Sequence, residues 1–271
     1  MCATPIGNLE DMTYRAVRVL SEVAVIAAED TRHTRKLLSH FEIHTRLISY
    51  HEHNKIERGP QIIERLLAGE DVALVSDAGL PGISDPGADL VVLAAEAGIT
   101  VVPLPGANAA LSALICSGLD TSLFTFIGFL PKNKKKRREL IAGLANYPYT
   151  MLFYESPHHI KTTLAEFRQA FGERPAVVAR ELTKKFEEFV RGTLESLETH
   201  FSEHEPRGEF TVIVAGQTDC QSSEEFPEAE GTLLEAVMSL VEKGSTKKDA
   251  IKVIAMQRGL PKRDVYQAVV K

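Results

Sequence analysis

Residues 72–87 have the sequence VALVSDAGLPGISDPG, in which a short apolar run opens into a loop rich in glycine and proline. We interpret 72–76 as a strand and the remainder as a ligand loop, because open α/β sheets bind ligands beyond the carboxyl ends of their parallel strands. Gly79 and Gly82 let the backbone approach a ligand closely. A similar loop at 103–109 follows the next predicted strand, and two such loops on neighbouring strands favour a binding site over two ordinary turns.

Strand-like and helical patterns alternate on both sides of this stretch. In the first half we predict strands at 23–28, 46–50, 72–76 and 99–103. Their alternation with helices indicates a parallel sheet covered on both faces. In the second half we predict strands at 124–129, 150–154, 176–180, 187–191 and 209–215. Only about six residues separate the third of these from the fourth, too few for a crossover helix, so this second sheet is mixed.

These patterns predict an α/β fold with two α/β domains, the first holding a parallel sheet and the second a mixed one, followed by a small helical domain. We place the first domain at 1–118, the second at 119–216, a polar linker at 217–230 and the helical domain at 231–271. The last domain contains three helical patterns, at 233–242, 247–258 and 263–270. Such a helix-turn-helix-like unit is either a packing appendage or a nucleic-acid reader.

Composition and charge limit the possible partners. Apolar residues make up 44% of the chain and charged residues 25%, which is typical of a protein with packed cores. The net charge of −6 disfavours a polyanionic partner, but basic segments at 132–138 and 243–271 allow one locally. We interpret 132–138 as either a solvated, flexible loop or a phosphate contact. The chain has no apolar run of about 18 residues and no secretory signal pattern at its start, so we expect a cytoplasmic protein.

Familiar catalytic fingerprints are absent from the sequence. It has no P-loop, no G-x-G-x-x-G after a strand and no G-x-S-x-G elbow. Three widely spaced cysteines and isolated histidine pairs argue against a metal site. The segment AEDTRHT at 28–34 follows a strand and begins a helix that Thr31 can cap. A cap alone does not explain why four charged or titratable residues lie together at a strand end: Glu29, Asp30, Arg32 and His33.

Six motifs together resemble the tetrapyrrole methylase superfamily, and within it the methylases of small-subunit ribosomal RNA. The motifs are ATPIGNLED at 3–11, AAEDTRHT at 27–34, ALVSDAG at 73–79, PLPG at 103–106, FYESPH at 153–158 and ARELTK at 179–184. The resemblance implies two α/β domains that hold S-adenosylmethionine in the cleft between them, usually in a homodimer. It also implies methylation of the 2'-hydroxyl of a decoding-centre cytidine in 16S rRNA, with the small ribosomal subunit as partner.

The resemblance further implies which residues contact the cofactor. Matched motif by motif, they are Ile6, Val75, Ser76, Asp77, Leu80, Asn108, Ala109, Tyr154, Leu182 and Thr211. A ribose hydroxyl is a weak nucleophile, so a nearby base must take its proton. We predict Glu29 or Asp30 for that role, with Arg32 or Lys184 stabilising the developing alkoxide or a nearby phosphate. For each of these residues a structural salt bridge is the competing interpretation.

Two other functions and one departure from the family pattern bear on this interpretation. A tetrapyrrole methyltransferase acting on a corrinoid or sirohaem precursor usually shows a Gly-x-Gly-Pro-Gly-Asp first loop, and this chain has Ala-Thr-Pro-Ile-Gly-Asn instead. A non-catalytic RNA-binding protein of ribosome assembly is the second possibility. Relatives usually carry an apolar first strand before this loop, and only Met1 and Cys2 precede it here. We therefore expect either a truncated first strand or a misassigned start.

Overall fold

The computed structural model describes residues 1–217, 232–242, 246–258 and 260–270. The chain forms two compact units, Met1–Gln217 and a second one within 218–271. The domain boundary at 118/119 lies inside the first unit and stays a prediction. Of the predicted linker, 217–230, all but the first residue lies outside the described residues.

A three-stranded parallel sheet organises the first half of the first unit. Its strands are β1 (Val25–Ala28), β2 (Leu47–Ser49) and β3 (Val72–Val75), in the order β2-β1-β3. The helices of this half are α1 (Tyr14–Glu22), α2 (Thr31–His40), α3 (Lys55–Leu67), α4 (Ala88–Glu96) and α5 (Ala109–Ser117). All four residues of β1 are buried, which is expected of a central strand covered on both faces. The predicted parallel sheet is confirmed.

The prediction of a strand at 99–103 is wrong. Val101 and Val102 are 37% and 46% exposed, and Leu104 makes only an isolated parallel bridge to Cys2. A strand needs a continuous partner, and the adjacent segment at the chain start makes only this bridge and an antiparallel one from Thr4 to Gly79. The β-branched sequence alone therefore does not produce a ladder here.

A five-stranded mixed sheet organises the second half of the unit. Its strands are β4 (Phe124–Phe129), β5 (Thr150–Glu155), β6 (Pro175–Arg180), β7 (Glu188–Thr193) and β8 (Phe210–Val214), in the order β4-β5-β8-β6-β7. The β4–β5 pair is parallel and the other pairs are antiparallel, so the predicted mixed sheet and its β6–β7 hairpin are confirmed. One face packs on α6 (Lys134–Gly143), α7 (Ile160–Phe171) and α8 (Leu194–Glu203).

The other face of this sheet packs against α5, and this contact joins the two halves of the unit. Ala113 and Leu114 of α5 share a buried cluster with Leu152 of β5 and Ile213 of β8. The helix ends at Gly118, whose φ of 81° favours glycine. The cleft between the two sheets is therefore fixed by a buried apolar contact.

The interpretation of 132–138 as a flexible loop is wrong from Lys134 onward, because α6 begins there. The side chain of Asn133 caps the helix by accepting hydrogen bonds from the amides of Lys135 and Lys136. Arg137 is only 14% exposed in its side chain and donates to Glu166 at 2.5 Å. Helical spacing places Arg137 on the same face as the buried Ile141, four residues later.

The described residues of the second unit form three helices with a core of their own. They are α9 (Leu233–Glu242), α10 (Lys247–Gln257) and α11 (Lys262–Val270), which confirms the predicted helical tail. Val237, Ile254 and Val265 lie in its buried cluster. Among the residues that the structure describes, no helix is long and apolar enough to cross a membrane.

Candidate functional site

A cavity of about 360 Å³ lies between the carboxyl end of β3 and one face of the second sheet. Its walls are the loop after β3, the start of α5 and residues of β5, β6 and β8. Eight predicted cofactor contacts line it: Ile6, Asp77, Leu80, Asn108, Ala109, Tyr154, Leu182 and Thr211. The size is typical of a small-molecule site, for which about 300–1,000 Å³ is usual. The structure thus brings residues from six separate segments to one cavity.

The other two predicted contacts, Val75 and Ser76, are buried beneath the cavity wall. Val75 ends β3, and the Ser76 hydroxyl donates to the carbonyl of Ala78 at 3.3 Å. The Thr4 hydroxyl donates to the Ser76 carbonyl, also at 3.3 Å. These two residues shape the loop from below, and a direct contact of either with a cofactor stays a prediction.

The first loop and the loop after β3 are held together by backbone hydrogen bonds. The Thr4 amide donates to the Gly79 carbonyl at 2.9 Å, and the Gly79 amide donates to the Thr4 carbonyl at 3.0 Å. Gly79 has a φ of 76°, and a Cβ there would lie 3.4 Å from the Ile6 side chain. A residue with a side chain at 79 would be strained by the positive φ, while its Cβ would make ordinary van der Waals contact with Ile6.

Tyr154 connects the second sheet to α5 across the cavity. Its hydroxyl accepts a hydrogen bond from the Ala110 amide at 3.3 Å, in the first turn of α5. Asn108 caps the same helix by accepting from the Leu111 amide at 2.9 Å. The Tyr154 ring lies 5.0 Å from that of Phe126 and 5.5 Å from that of Phe129. Burial raises the pKa of Tyr154, so its hydroxyl stays protonated.

Two of the four predicted catalytic residues, Asp30 and Arg32, lie outside the cavity lining and bind each other. Asp30, not Thr31, caps α2: its carboxylate accepts from the Arg32 amide at 2.8 Å, so the prediction that Thr31 caps the helix is wrong. The helix begins at Thr31, which leaves the preceding residue in the capping position. The Arg32 guanidinium pairs with Asp30 at 2.8 Å and holds the pKa of that carboxyl well below its usual range.

The other two predicted catalytic residues, Glu29 and Lys184, are also absent from the cavity lining, but each is hydrogen-bonded to a residue that lines it. Glu29 accepts a long hydrogen bond of 3.5 Å from the Asp77 amide, and burial together with Asp77 raises its pKa. Lys184 donates to Glu181 at 2.8 Å and to Glu209 at 2.7 Å, and Glu209 lines the cavity. The structure gives each residue a structural partner, and a catalytic role for any of the four stays a prediction.

The sequence interpretation missed five polar residues of the cavity wall, which are Ser84, Asp85, Glu155, Ser156 and Glu209. Burial and the charges of Glu29 and Asp77 together raise the pKa of Asp85 to about 6, although the neighbouring Ser76 hydroxyl lowers it. The Ser156 hydroxyl oxygen is buried without a hydrogen-bond partner among the residues that the structure describes. A signal for Asp85 was present, because the SDAG of 76–79 recurs as SDPG at 84–87.

The sequence matches a known protein family and closely resembles named relatives. Residues 2–198 match the family model of tetrapyrrole (corrin/porphyrin) methylases. The chain is 51% identical over 266 residues to ribosomal RNA small subunit methyltransferase I of Halalkalibacterium halodurans, which spans 98% of this chain and 92% of the relative. It is 50% identical to the protein of that name in Bacillus subtilis, over 98% of this chain and 91% of the relative.

A solved structure shows the same fold. The cobalamin biosynthetic enzyme cobalt precorrin-4 methyltransferase superposes with a TM-score of 0.59 over 79% of this chain and 92% of its own, at 19% sequence identity. The resemblance inferred from the six motifs and the predicted α/β architecture are both confirmed. The chain therefore belongs to the tetrapyrrole methylase family, whose members are methyltransferases that use S-adenosylmethionine.

Proposed function

We propose that this protein methylates 16S rRNA of the small ribosomal subunit, at the 2'-hydroxyl of a decoding-centre cytidine. The observation that carries this proposal is the identity of about half of all residues, over nearly the full length, with two relatives named as small-subunit rRNA methyltransferases. The finer assignment to a cytidine 2'-hydroxyl is supported by the six sequence motifs. The same motifs support a homodimer, and the proposed ribosomal substrate supports a cytoplasmic protein.

The cavity suits S-adenosylmethionine. Its apolar wall includes Ile6, Leu80 and Phe129, which fit a flat base, and backbone groups of the loop after β3 line it as well. The Ser156 hydroxyl needs a polar partner, which a polar group of a bound nucleoside would supply. Asp77 and Asp85 add negative charge, which favours a cationic sulfonium. When bound, S-adenosylmethionine supplies the methyl group.

The residues of this chain bind the two reactants, orient them and exclude water from the cavity. Two sets of hydrogen bonds keep the cavity walls in place: those between the loops at Thr4 and Gly79, and the one between Tyr154 and Ala110. The walls therefore need little further ordering when the reaction takes place. A proton acceptor is required for the hydroxyl, and Glu29 and Asp30 remain candidates for it. Arg32 or Lys184 is the proposed partner of the developing negative charge or of a phosphate.

Basic surfaces on two elements support an RNA substrate. Lys134, Lys135 and Lys136 are exposed on the first turn of α6. In the second unit, a concave surface between α10 and α11 combines five cations with an apolar floor: Lys247, Lys248, Lys252, Lys262, Arg263, Ile251 and Tyr266. Cations bind phosphates without regard to sequence, and an aromatic ring offers stacking to an unpaired base.

The test is methyl transfer with purified protein, S-adenosylmethionine and rRNA from cells that lack the gene, presented either as free 16S rRNA or as 30S particles. We expect one new 2'-O-methyl group at a decoding-centre cytidine. A parallel assay offers a corrinoid or sirohaem precursor as the methyl acceptor. Methylation of that precursor alone would replace the proposal with the tetrapyrrole function. If calorimetry showed no saturable heat with S-adenosylmethionine, the protein would instead be an RNA-binding module.

A further inference from the structure

Glu29, His51 and Asp77 meet at one edge of the first sheet. The parallel registers of β1 with β2 and of β1 with β3 align the last residues of the three strands. The three side chains follow within two residues of these strand ends, at the edge where ligands of open α/β sheets bind. Asp77 lines the candidate cofactor cavity, and its amide donates to the Glu29 carboxylate at 3.5 Å. Glu29 and His51 are therefore neighbours of the candidate site.

The turn after β2 fixes the backbone of His51. Its amide donates to the Asn54 side chain at 2.8 Å, and its carbonyl accepts from the amides of Asn54 and Lys55, both at 3.0 Å. The Asn54 side chain in turn donates to the carbonyl of Ser49 at 3.3 Å and to its hydroxyl at 3.2 Å. The imidazole therefore extends from a fixed point of the sheet edge, as a positioned functional group requires.

The imidazole of His51 has unused hydrogen-bonding capacity. The residue is half-buried, and its Nδ1 atom is buried without a partner among the residues that the structure describes. The ring centroid lies 5.9 Å from that of the exposed His53, so the neighbouring ring does not replace a hydrogen bond. Buried polar atoms are nearly always hydrogen-bonded, so we expect a bound molecule or a water to supply a group at this nitrogen.

Of the two carboxylates at the end of β1, Glu29 is the one available to accept a proton. Asp30 accepts from the amide and the guanidinium of Arg32, which hold the pKa of Asp30 well below its usual range and make it a weak base. Glu29 is half-buried, and in the described part of the chain it accepts only the long bond from Asp77. A base is more effective as its pKa approaches the working pH, and the pKa of Glu29 is raised.

Titratable side chains from each neighbouring element face Glu29. Burial is the largest cause of its raised pKa, the charge of Asp77 after β3 comes next, and the adjacent Asp30 adds a smaller effect. Asp85, in the loop between β3 and α4, interacts with Glu29 as well. His51, after β2, acts in the opposite direction, because its charge lowers the pKa of Glu29. The imidazole therefore extends the pH range in which Glu29 is ionised.

We propose that His51 is a positioning residue for proton transfer, whose imidazole keeps the Glu29 carboxylate ionised so that Glu29 accepts the proton of the substrate hydroxyl. This inference rests on the proposed function, and none of the six motifs includes His51. The hydroxyl oxygen forms a bond to the methyl carbon while the carbon–sulfur bond of the donor breaks, and the bonding electron pair stays on sulfur. The hydroxyl proton passes to the Glu29 carboxylate and from there to solvent.

The experiment is single-turnover methyl transfer as a function of pH, at saturating S-adenosylmethionine and with the rRNA acceptor that wild type methylates. The wild-type rate should rise with pH and level off above the pKa of Glu29, because the ionised form is the base. General-base catalysis contributes about 10²–10⁴-fold, so Glu29→Gln should be at least about 100-fold slower at pH 7 and should lose this inflection. His51→Gln leaves the acceptor in place, so it should keep the plateau rate while its inflection moves to higher pH.

Two further variants make the test specific. His51→Lys returns a positive charge beside Glu29 and should move the inflection back toward its wild-type position, which a purely structural role would not do. His44→Gln is the matched control, since His44 is exposed and lies before β2, at the opposite end of that strand, and it should match wild type at every pH.

The proposal is overturned if Glu29→Gln keeps the inflection, if the inflection of His51→Gln stays in place or moves to lower pH, or if His51→Lys fails to restore it. Loss of the inflection in His51→Gln alone would make His51 itself the base and overturn the proposal as well. If wild type transfers no methyl group to 30S particles or free rRNA, the proposed function is what fails.

A readout that is independent of turnover is the titration of the Glu29 carboxyl in the unliganded protein, followed by carbon-13 NMR. The signal that is missing from Glu29→Gln identifies Glu29. Its midpoint should lie at higher pH in His51→Gln than in wild type, because a charge that favours the carboxylate has been removed. The turn after β2 is held through backbone groups of His51 and the Asn54 side chain, so these hydrogen bonds remain in the variant. An unchanged midpoint would contradict the proposal even if wild type methylates rRNA.

Discussion

The hydroxyl oxygen of Tyr154 adds a polar contact to the apolar one that joins the two halves of the first unit. It accepts from the Ala110 amide at 3.3 Å, while its ring packs beside Phe126 and Phe129. Tyr154→Phe keeps the ring contacts and leaves the amide without its acceptor, which costs about 1–3 kcal/mol for a buried group. We expect a lower midpoint of urea unfolding and weaker binding of S-adenosylmethionine.

Tyr149→Phe is the matched control for Tyr154, since Tyr149 is exposed outside the cavity lining. Its unfolding midpoint and its affinity for S-adenosylmethionine should match those of wild type. Equal midpoints for Tyr154→Phe and wild type would show that the hydroxyl does not hold the cleft together.

Single residues show how far the sequence predicts the site. Tyr154 and Leu182, which are predicted to contact the cofactor, both line the cavity, and each belongs to a motif that follows or ends a predicted strand. Their contact with the cofactor stays a prediction. Asp85 was missed because its position depends on a loop that folds back over the cleft, with Ser84 at a φ of 64° and Gly128 leaving room for it. A backbone turn of this kind depends on contacts far apart in sequence. Only the repeated S-D-x-G pattern hinted at it.

Helix α6 shows that a run of charged residues can obscure the helical spacing of a sequence. Its sequence begins with five consecutive cations, which favoured a solvated loop. The structure turns Arg137 inward to Glu166 and leaves the three lysines of the first turn exposed. The strand predicted at 99–103 failed for the opposite reason, since a good β-pattern lacked a continuous partner. Local pattern predicts an element, and its neighbours decide whether it forms.

The three lysines of α6 are predicted to serve binding and not stability. Lys134, Lys135 and Lys136 occupy the helix N-terminus, where the macrodipole disfavours cations. Replacing all three with Gln should leave the melting temperature unchanged or higher, and should weaken binding to rRNA. Each lost phosphate contact lowers the salt slope by about 0.7–0.9, so a decrease of about 2 is expected in a plot of log affinity against log salt.

The control for the α6 lysines is Arg15→Gln with Arg18→Gln on α1, two residues that border a different cavity. This double variant should retain the wild-type salt slope. If the triple lysine variant retains that slope as well, α6 does not contact the RNA backbone, and its cations serve solubility alone.

In the whole molecule, the candidate cofactor cavity and the basic helical surface belong to different compact units. Every residue that lines the candidate cofactor cavity belongs to Met1–Gln217, and α9, α10 and α11 bury a core of their own. We therefore predict that a protein ending at Gln217 folds and binds S-adenosylmethionine within about threefold of the full-length affinity, as measured by calorimetry. It should bind rRNA more weakly and with a smaller salt slope, because five cations around Tyr266 are lost. A matched full-length variant with Lys247, Lys248, Lys252, Lys262 and Arg263 changed to Gln should reproduce the loss in RNA affinity and leave cofactor affinity unchanged. If the shortened protein bound rRNA as tightly as the full chain, the helical unit would be a packing appendage; if it lost S-adenosylmethionine, the cavity would depend on residues beyond the unit that lines it.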